Sequence, residues 1–174
     1  MSGGGEHSRD EVEEAFRHYW RTGAAGEDWE AWADLFTDDA VYVEHVLGSM
    51  IGCAQIKRWI TQIRAAYPEL YTVYEWHMID GDRVVFYMQS RRDNPEPGKP
   101  PIDSPGVSII HYAGDGKWDF EEDFWAFPVA QRAQAAYIEA RAKYDPDHSW
   151  KMTRQHWPDS PDWARGPEGG PRAR

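Results

Sequence analysis

The sequence predicts an α+β fold in which a curved antiparallel sheet wraps around N-terminal helices, forming a cone with an internal apolar pocket. Helical periodicity dominates up to Tyr67, strand alternation takes over between Tyr71 and Trp125, and glycine-containing turns of hairpin type join the later strands. Helices followed by a run of strands is the element order of an α+β domain. At 174 residues the chain holds one sizeable core but not two.

Asp10 is a suitable N-cap, and Val12, Ala15, Phe16, Tyr19 and Trp20 recur at helical spacing until Gly23 and Gly26, which predicts a first helix over 10–22. A shorter helix over 28–35 places Trp29, Trp32, Ala33 and Phe36 on one face, with an acidic first turn that complements the helix dipole. Residues 41–46 have the β-branched and aromatic content of a strand, and Gly48 and Gly52 mark an irregular loop after it. A third helix over 54–67 turns Ile56, Trp59, Ile60 and Ile63 inward, and Pro68 closes it. Strands over 71–79 and 83–91 flank Asp80-Gly81-Asp82, a hairpin signal that makes them antiparallel neighbours. The Pro-rich segment 94–105 reads as a mobile loop at the rim. Strands over 107–112 and 117–125 form a second hairpin around Gly114-Asp115-Gly116, and Pro128 opens a last helix over 129–144, with Ala130, Ala133, Ala136, Tyr137 and Ala140 as candidate buried positions.

The chain therefore divides into a flexible N-terminus (1–9), the α+β domain (10–127), an additional helix (128–144) and an irregular tail (145–174). The tail carries five prolines and a balance of five acids and five bases, which excludes a regular core element. Trp150, Trp157 and Trp163 indicate that part of it docks on its own subunit or on a neighbour, where Trp150 or Trp157 would cover the neighbour's pocket as a lid.

Composition narrows the function. A net charge of −11 and a pI near 5.0 repel polyanions, which excludes nucleic-acid binding as the main role. Ten Trp and nine Tyr supply cores, interfaces and pocket walls. Cys53 is the only cysteine, so there is no intrachain disulfide and no multi-cysteine metal site, and a reducing, cytoplasmic setting is the simplest reading. No segment has the apolar run of a signal peptide or a membrane span, so the protein is expected to be soluble, without membrane partners and not exported.

Three sequence features carry a resemblance. They are Trp32-Ala33-Asp34-Leu35-Phe36-Thr37-Asp38-Asp39-Ala40-Val41-Tyr42, Gly52 before the third helix, and Gly114-Asp115-Gly116-Lys117-Trp118 before the last strand. With the element order, they resemble the SnoaL-like branch of the nuclear transport factor 2-like superfamily over roughly residues 10–127. That superfamily contains polyketide cyclases, ketosteroid isomerases, limonene-epoxide hydrolases and dehydratases, together with binding and assembly domains that catalyse nothing. The resemblance implies a homodimer through the outer face of the sheet.

It also implies site residues. Aligned with ketosteroid isomerase, Tyr19 falls where that family has its oxyanion-donating tyrosine and His45 where it has its carboxylate base. Ser108 falls where the isomerase has a protonated aspartic acid, which argues against ketosteroid isomerisation itself. Trp125 takes a pocket-facing position on the last strand, and by alternation Asp123 and Glu121 share that face. Asp123 is the position that resembles the catalytic aspartate of SnoaL-like cyclases. Val84, Phe86 and Met88 would line the apolar wall. Trp59 is a further candidate for substrate contact, although it belongs to an aromatic stripe with Trp20, Trp29, Trp32 and Trp76 whose first reading is core. Arg91 and Arg92 precede a loop and are expected to face solvent. Glu75 and His77 share one strand face that His45 or His111 could approach, yet no HExxH, CxxC or HxH spacing occurs, so no metal is expected.

The expectation is thus a cofactor-independent acid/base enzyme, a cyclase, isomerase, dehydratase or epoxide hydrolase, acting on a hydrophobic oxygenated molecule of polyketide, terpenoid or steroid type. His45 and Asp123 would move protons and Tyr19 would polarise an oxygen. The alternative is a non-catalytic ligand-binding or assembly domain of the same fold.

Overall fold

A computed structural model describes residues 6–147, 154, 156–157 and 160–166. Helix α1 (Arg9–Trp20) is capped by Ser8, whose hydroxyl accepts from the Glu11 amide, while the Asp82 carboxylate holds the amides of Glu6 and His7 just before it. Gly23 does not end the helix. A π-helical turn (Arg21–Ala25) carries it on, and Gly23 lies so close to Trp32 that a Cβ would come within 2.3 Å of the indole. The glycine therefore serves packing against α2 (Trp29–Ala33), which Asp28 caps through the Ala31 amide.

Strand β1 (Phe36–Glu44) begins well before the predicted 41, and the segment read as an irregular loop contains a short strand, β2 (Gly48–Ile51), hairpinned onto it. Helix α3 (Cys53–Ala66) starts after Gly52, whose φ of +81° and close approach to the Asp38 carbonyl oxygen suit glycine alone. Strands β3 (Tyr71–Asp80), β4 (Arg83–Arg92), β5 (Ile102–Gly114) and β6 (Lys117–Trp125) complete one six-stranded curved sheet in the order β2-β1-β6-β5-β4-β3. Every neighbouring pair is antiparallel except β1 and β6, which run parallel. The rim loop is shorter than predicted because β5 takes in Pro105. Proline is tolerated there because β6 ends opposite Gly106 and the Pro105 carbonyl accepts the Ala126 amide.

Side chains alternate across the sheet, and the concave side receives Tyr42, Glu44, Phe86, Ser108, Glu121 and Asp123. The buried faces of α1, α2 and α3 pack against that concave side with Phe16, Tyr19, Trp20, Trp32, Ile56 and Ile60. A bulge at Glu75 shifts the β3–β4 register, so that Tyr74 and His77 turn toward α1 while Trp76 turns outward. Trp76 is thus surface, not core.

Helix α4 (Phe127–Tyr144), with Pro128 in its first turn, buries Ala133 and Tyr137 but leaves Ala136 exposed. It packs against β5 and on Arg92, which is buried, bonds Gln134 and Glu69, and lies over the Tyr137 ring. Arg92 therefore faces inward, contrary to the solvent-facing expectation, because alternation along β4 puts it on the concave side with Met88 and Ser90. Arg91 points the other way and pairs with Asp103 at 2.6 Å.

Trp157 is buried against its own subunit: its indole N–H donates to the Thr72 carbonyl at 3.2 Å and its ring lies 4.8 Å from Tyr71. It is not a lid on a neighbour, and Trp150 lies outside the described residues. A 3₁₀ turn (Asp162–Ala164) sets Trp163 against Phe16 and Tyr74 and lets the Ala164 carbonyl accept the Trp20 indole N–H at 3.0 Å. Among the described residues no helix is long and apolar enough to cross a membrane.

Candidate active site

Two carboxylates stand side by side on the inward face of β6. Glu121 is 2% exposed and Asp123 4%. The Tyr19 hydroxyl, brought in by α1, lies 2.8 Å from both oxygens of Glu121. The Tyr42 hydroxyl of β1 donates to Asp123 Oδ2 at 2.6 Å, and the Ser108 hydroxyl of β5 donates to Oδ1. A third carboxylate, Glu44, sits directly beside Asp123 in the parallel β1–β6 register, with its Oε2 accepting the amides of Val46 and Leu47 at 3.0 and 2.5 Å. No Lys, Arg or His among the described residues pairs with Glu121 or Asp123.

This arrangement disfavours negative charge. Burial, reinforced by Asp123, pushes Glu121 well above the usual Glu range. Burial likewise raises Asp123 to about 6; the Ser108 and Tyr42 hydrogen bonds work against the shift, and Glu44 adds to it. Burial, and then the adjacent carboxylates, push both Tyr19 and Tyr42 well above the usual phenol value, so both hydroxyls stay protonated and serve as donors. A carboxylate poised near neutrality among fixed hydroxyl donors is equipped to take a proton from a bound molecule and return it.

The positions predicted from sequence separate into two groups. Asp123, Tyr19 and Ser108 converge on this cluster, with Val84, Phe86 and Met88 on the same concave face and Trp125 lying over Gly106, where a Cβ would meet the ring at 2.4 Å. Trp59 packs against Tyr42 with ring centroids 4.8 Å apart. His45 is elsewhere. It lies past the end of β1 on the outer side, its side chain 51% exposed, bonded to Glu122 at 2.8 Å and resting on Phe124. The placement of His45 in the site is corrected by one residue: alternation from Tyr42 brings Glu44, not His45, to the inward face. Tyr42 and Glu44 are the members that sequence reading missed. The signal available was the parity of Ala40, Tyr42 and Glu44, but Val41 and Val43 made the opposite face look equally buried.

The metal candidates disperse as well. His77 bonds Glu13 at 2.9 Å and Tyr74 at 2.8 Å, and His111 bonds Asp119 at 2.7 Å. Among the described residues no three His, Cys, Asp or Glu side chains gather as a metal site.

The SnoaL-like domain profile matches residues 12–120, more than half of the chain. The chain belongs to the SnoaL-like domain family. This SnoaL-like domain also superposes on solved structures. One is from Jannaschia sp. CCS1, provisionally assigned as a SnoaL-like polyketide cyclase, with 21% identity, TM-score 0.58, and 76% of this chain and 99% of that one covered. A second is TerC co-crystallised with polyporic acid, with 18% identity, TM-score 0.57, and coverage of 74% and 98%. A third is SalBIII, an epoxide hydrolase/cyclase-like enzyme with a role in pyran ring formation in the polyether salinomycin, with 18% identity, TM-score 0.56, and coverage of 70% and 95%. At these identities the likeness is one of fold. No curated protein matches the chain.

Proposed function

We propose that this SnoaL-like domain is an enzyme that moves protons with its own side chains to cyclise, isomerise, dehydrate or open an epoxide in a hydrophobic oxygenated small molecule. Asp123 exchanges the proton with the substrate. Glu121 shares a proton with it, Glu44 adds negative charge beside it, and Tyr42, Tyr19 and Ser108 hold the pair in place. The single observation that carries this reading is an aspartate buried among hydroxyl donors and a second carboxylate, with no cation paired to it among the described residues, and raised to about 6. A purely structural carboxylate in such a place costs stability without return, whereas a proton-transfer group needs that environment. Phe86, Met88, Val84 and Trp125 supply apolar neighbours suited to a ring system.

The test uses 5-nitrobenzisoxazole, an apolar carbon acid. A base removes its C3 proton, the N–O bond breaks, a nitrile forms and a coloured phenolate leaves. Wild type is expected to accelerate this ring opening, with a rate that rises with pH through about 6, and Asp123→Asn is expected to lose about 10²-fold or more. A wild-type rate no greater than that of Asp123→Asn overturns the reading.

We also assign a homodimer contact to the outer sheet face, where Trp76, Tyr87, Val107 and Phe124 form one cross-strand row and Trp76 and Phe124 are each 44% exposed beside Met78 at 58%. Light scattering should return twice 20.1 kDa, and Met78→Asp should return the monomer. The setting we assign is cytoplasmic, on the strength of the single free thiol, Cys53.

A further inference from the structure

We infer that Trp59 reads the oxygen of the bound molecule: its indole N–H donates to a neutral acceptor, a carbonyl, ether or epoxide oxygen, carried on an apolar ring beside Asp123. The inference rests on the acid/base reading for where the reacting atoms lie. Trp59 projects from α3 onto Tyr42, with rings 4.8 Å apart and inclined by 50°, and the Tyr42 hydroxyl is the donor to Asp123 Oδ2. The Trp59 Nε1 atom is sealed from solvent and has no acceptor among the described residues. The acceptors of the acid cluster take their bonds from other donors: Asp123 from Tyr42 and Ser108, Glu121 from Tyr19, and Glu44 Oε2 from two backbone amides.

A buried donor without an acceptor is costly, and a phenylalanine would fill the same place and keep the ring contact with Tyr42 without that cost. An indole in this position is useful when the acceptor arrives with a ligand. The acceptor is neutral because Asp123 and Glu44 repel an anion at the same place. Where Asp123 removes a proton and the oxygen gains negative charge, the same N–H bond strengthens, so the group that binds the oxygen also favours the reaction. Trp118 has an indole N–H in the same condition, but it lies deeper, between Tyr19 and Tyr112, and is wholly buried.

The test is Trp59→Phe with two matched probes, naphthalene and 2-acetylnaphthalene, titrated against wild type, the variant and Asp123→Asn. The expected result is that Trp59→Phe weakens 2-acetylnaphthalene by about 4–12-fold, the size of one net hydrogen bond, and leaves naphthalene within about two-fold. Trp59→His, which retains a ring N–H, should recover part of the difference, and melting temperatures close to wild type certify the comparison. Equal weakening of both probes assigns Trp59 to space filling, or its N–H to a buried water, and overturns the inference, as does failure of wild type to bind either probe. The two readings fail separately. Loss of ring opening in Asp123→Asn with no discrimination by Trp59→Phe removes this inference alone; discrimination by Trp59→Phe with turnover intact in Asp123→Asn removes the acid/base reading alone.

Discussion

Replacing Asp123 by Asn should stabilise the protein at neutral pH while abolishing its chemistry. The folded state holds the Asp123 proton up to about 6, whereas an ordinary Asp releases it near 3.8. Unfolding therefore releases a proton between those values, and the stability of the wild type falls as pH rises through that window. The gap corresponds to about 3 kcal/mol by linkage, fully absent below the lower value and fully present above the upper one. Asn carries no charge and escapes this penalty. It retains one acceptor oxygen, and its amide group meets a Tyr42 or Ser108 hydroxyl that must rotate to accept, which costs about 1 kcal/mol at every pH. The net gain at pH 7.5 is about 2 kcal/mol, or about 4–8 °C in melting temperature for a chain of this size. The assay is urea denaturation of both proteins at pH 4, 5, 6 and 7.5, read as the difference between them so that the titrations of groups remote from Asp123 cancel. That difference should grow by about 2.5 kcal/mol in favour of the variant from pH 4 to 7.5. A flat difference would mean that Asp123 titrates normally and would refute the reasoning.

Four other substitutions test the placement of particular side chains. His45→Ala should leave ring opening within about two-fold and stability within about 0.5 kcal/mol, since it removes an exposed pair with Glu122 on the outer side. Tyr42→Phe removes a hydrogen bond that lowers the Asp123 pKa, so the midpoint of the pH–rate profile should move above about 6; a move to lower pH would contradict the geometry. Gly23→Ala forces a Cβ against the Trp32 indole and should cost about 1–3 kcal/mol in a thermal melt, with no change in the pH profile. Trp157→Ala removes a buried ring and its bond to Thr72, weakening tail docking by about 2–4 kcal/mol, which limited proteolysis should register as faster cleavage beyond Tyr144.

What the sequence disclosed follows from how local each determinant is. The β3–β4 hairpin was readable because Asp80-Gly81-Asp82 imposes the turn by itself, with Gly81 at φ +59°. The parallel pairing of β1 with β6 was not, because it joins segments some eighty residues apart and leaves no turn signature. The same distinction governs the site. Asp123 and Tyr19 were placed there by the family resemblance, and alternation along β6 and helix periodicity, which are local rules, agreed with it in turning them inward. His45 was misplaced because one register step exchanges the two faces of a strand, and β1 carries apolar side chains on both. The bulge at Glu75 separated His77 from its predicted companion for a similar reason: one extra residue, invisible to periodicity, reverses the parity of everything after it.

The turn before β6 and the acids within it answer to different physical demands. The turn before β6 holds Gly114, Asp115 and Gly116 at φ values of +91°, +52° and +73°, so backbone geometry restricts which residues can stand there, and the segment marks the fold. Nothing in the backbone restricts Glu121 or Asp123 in that way; β6 would form as readily with apolar residues at both positions, and more stably. The acids are present at a cost the fold does not require, in a place where hydroxyls from three different elements, α1, β1 and β5, have been brought to meet them. A cost that serves no folding purpose, with partners drawn from across the chain to hold it, is the mark of a group kept for its proton, and it is on the acid pair, more than on the fold, that the proposed chemistry rests.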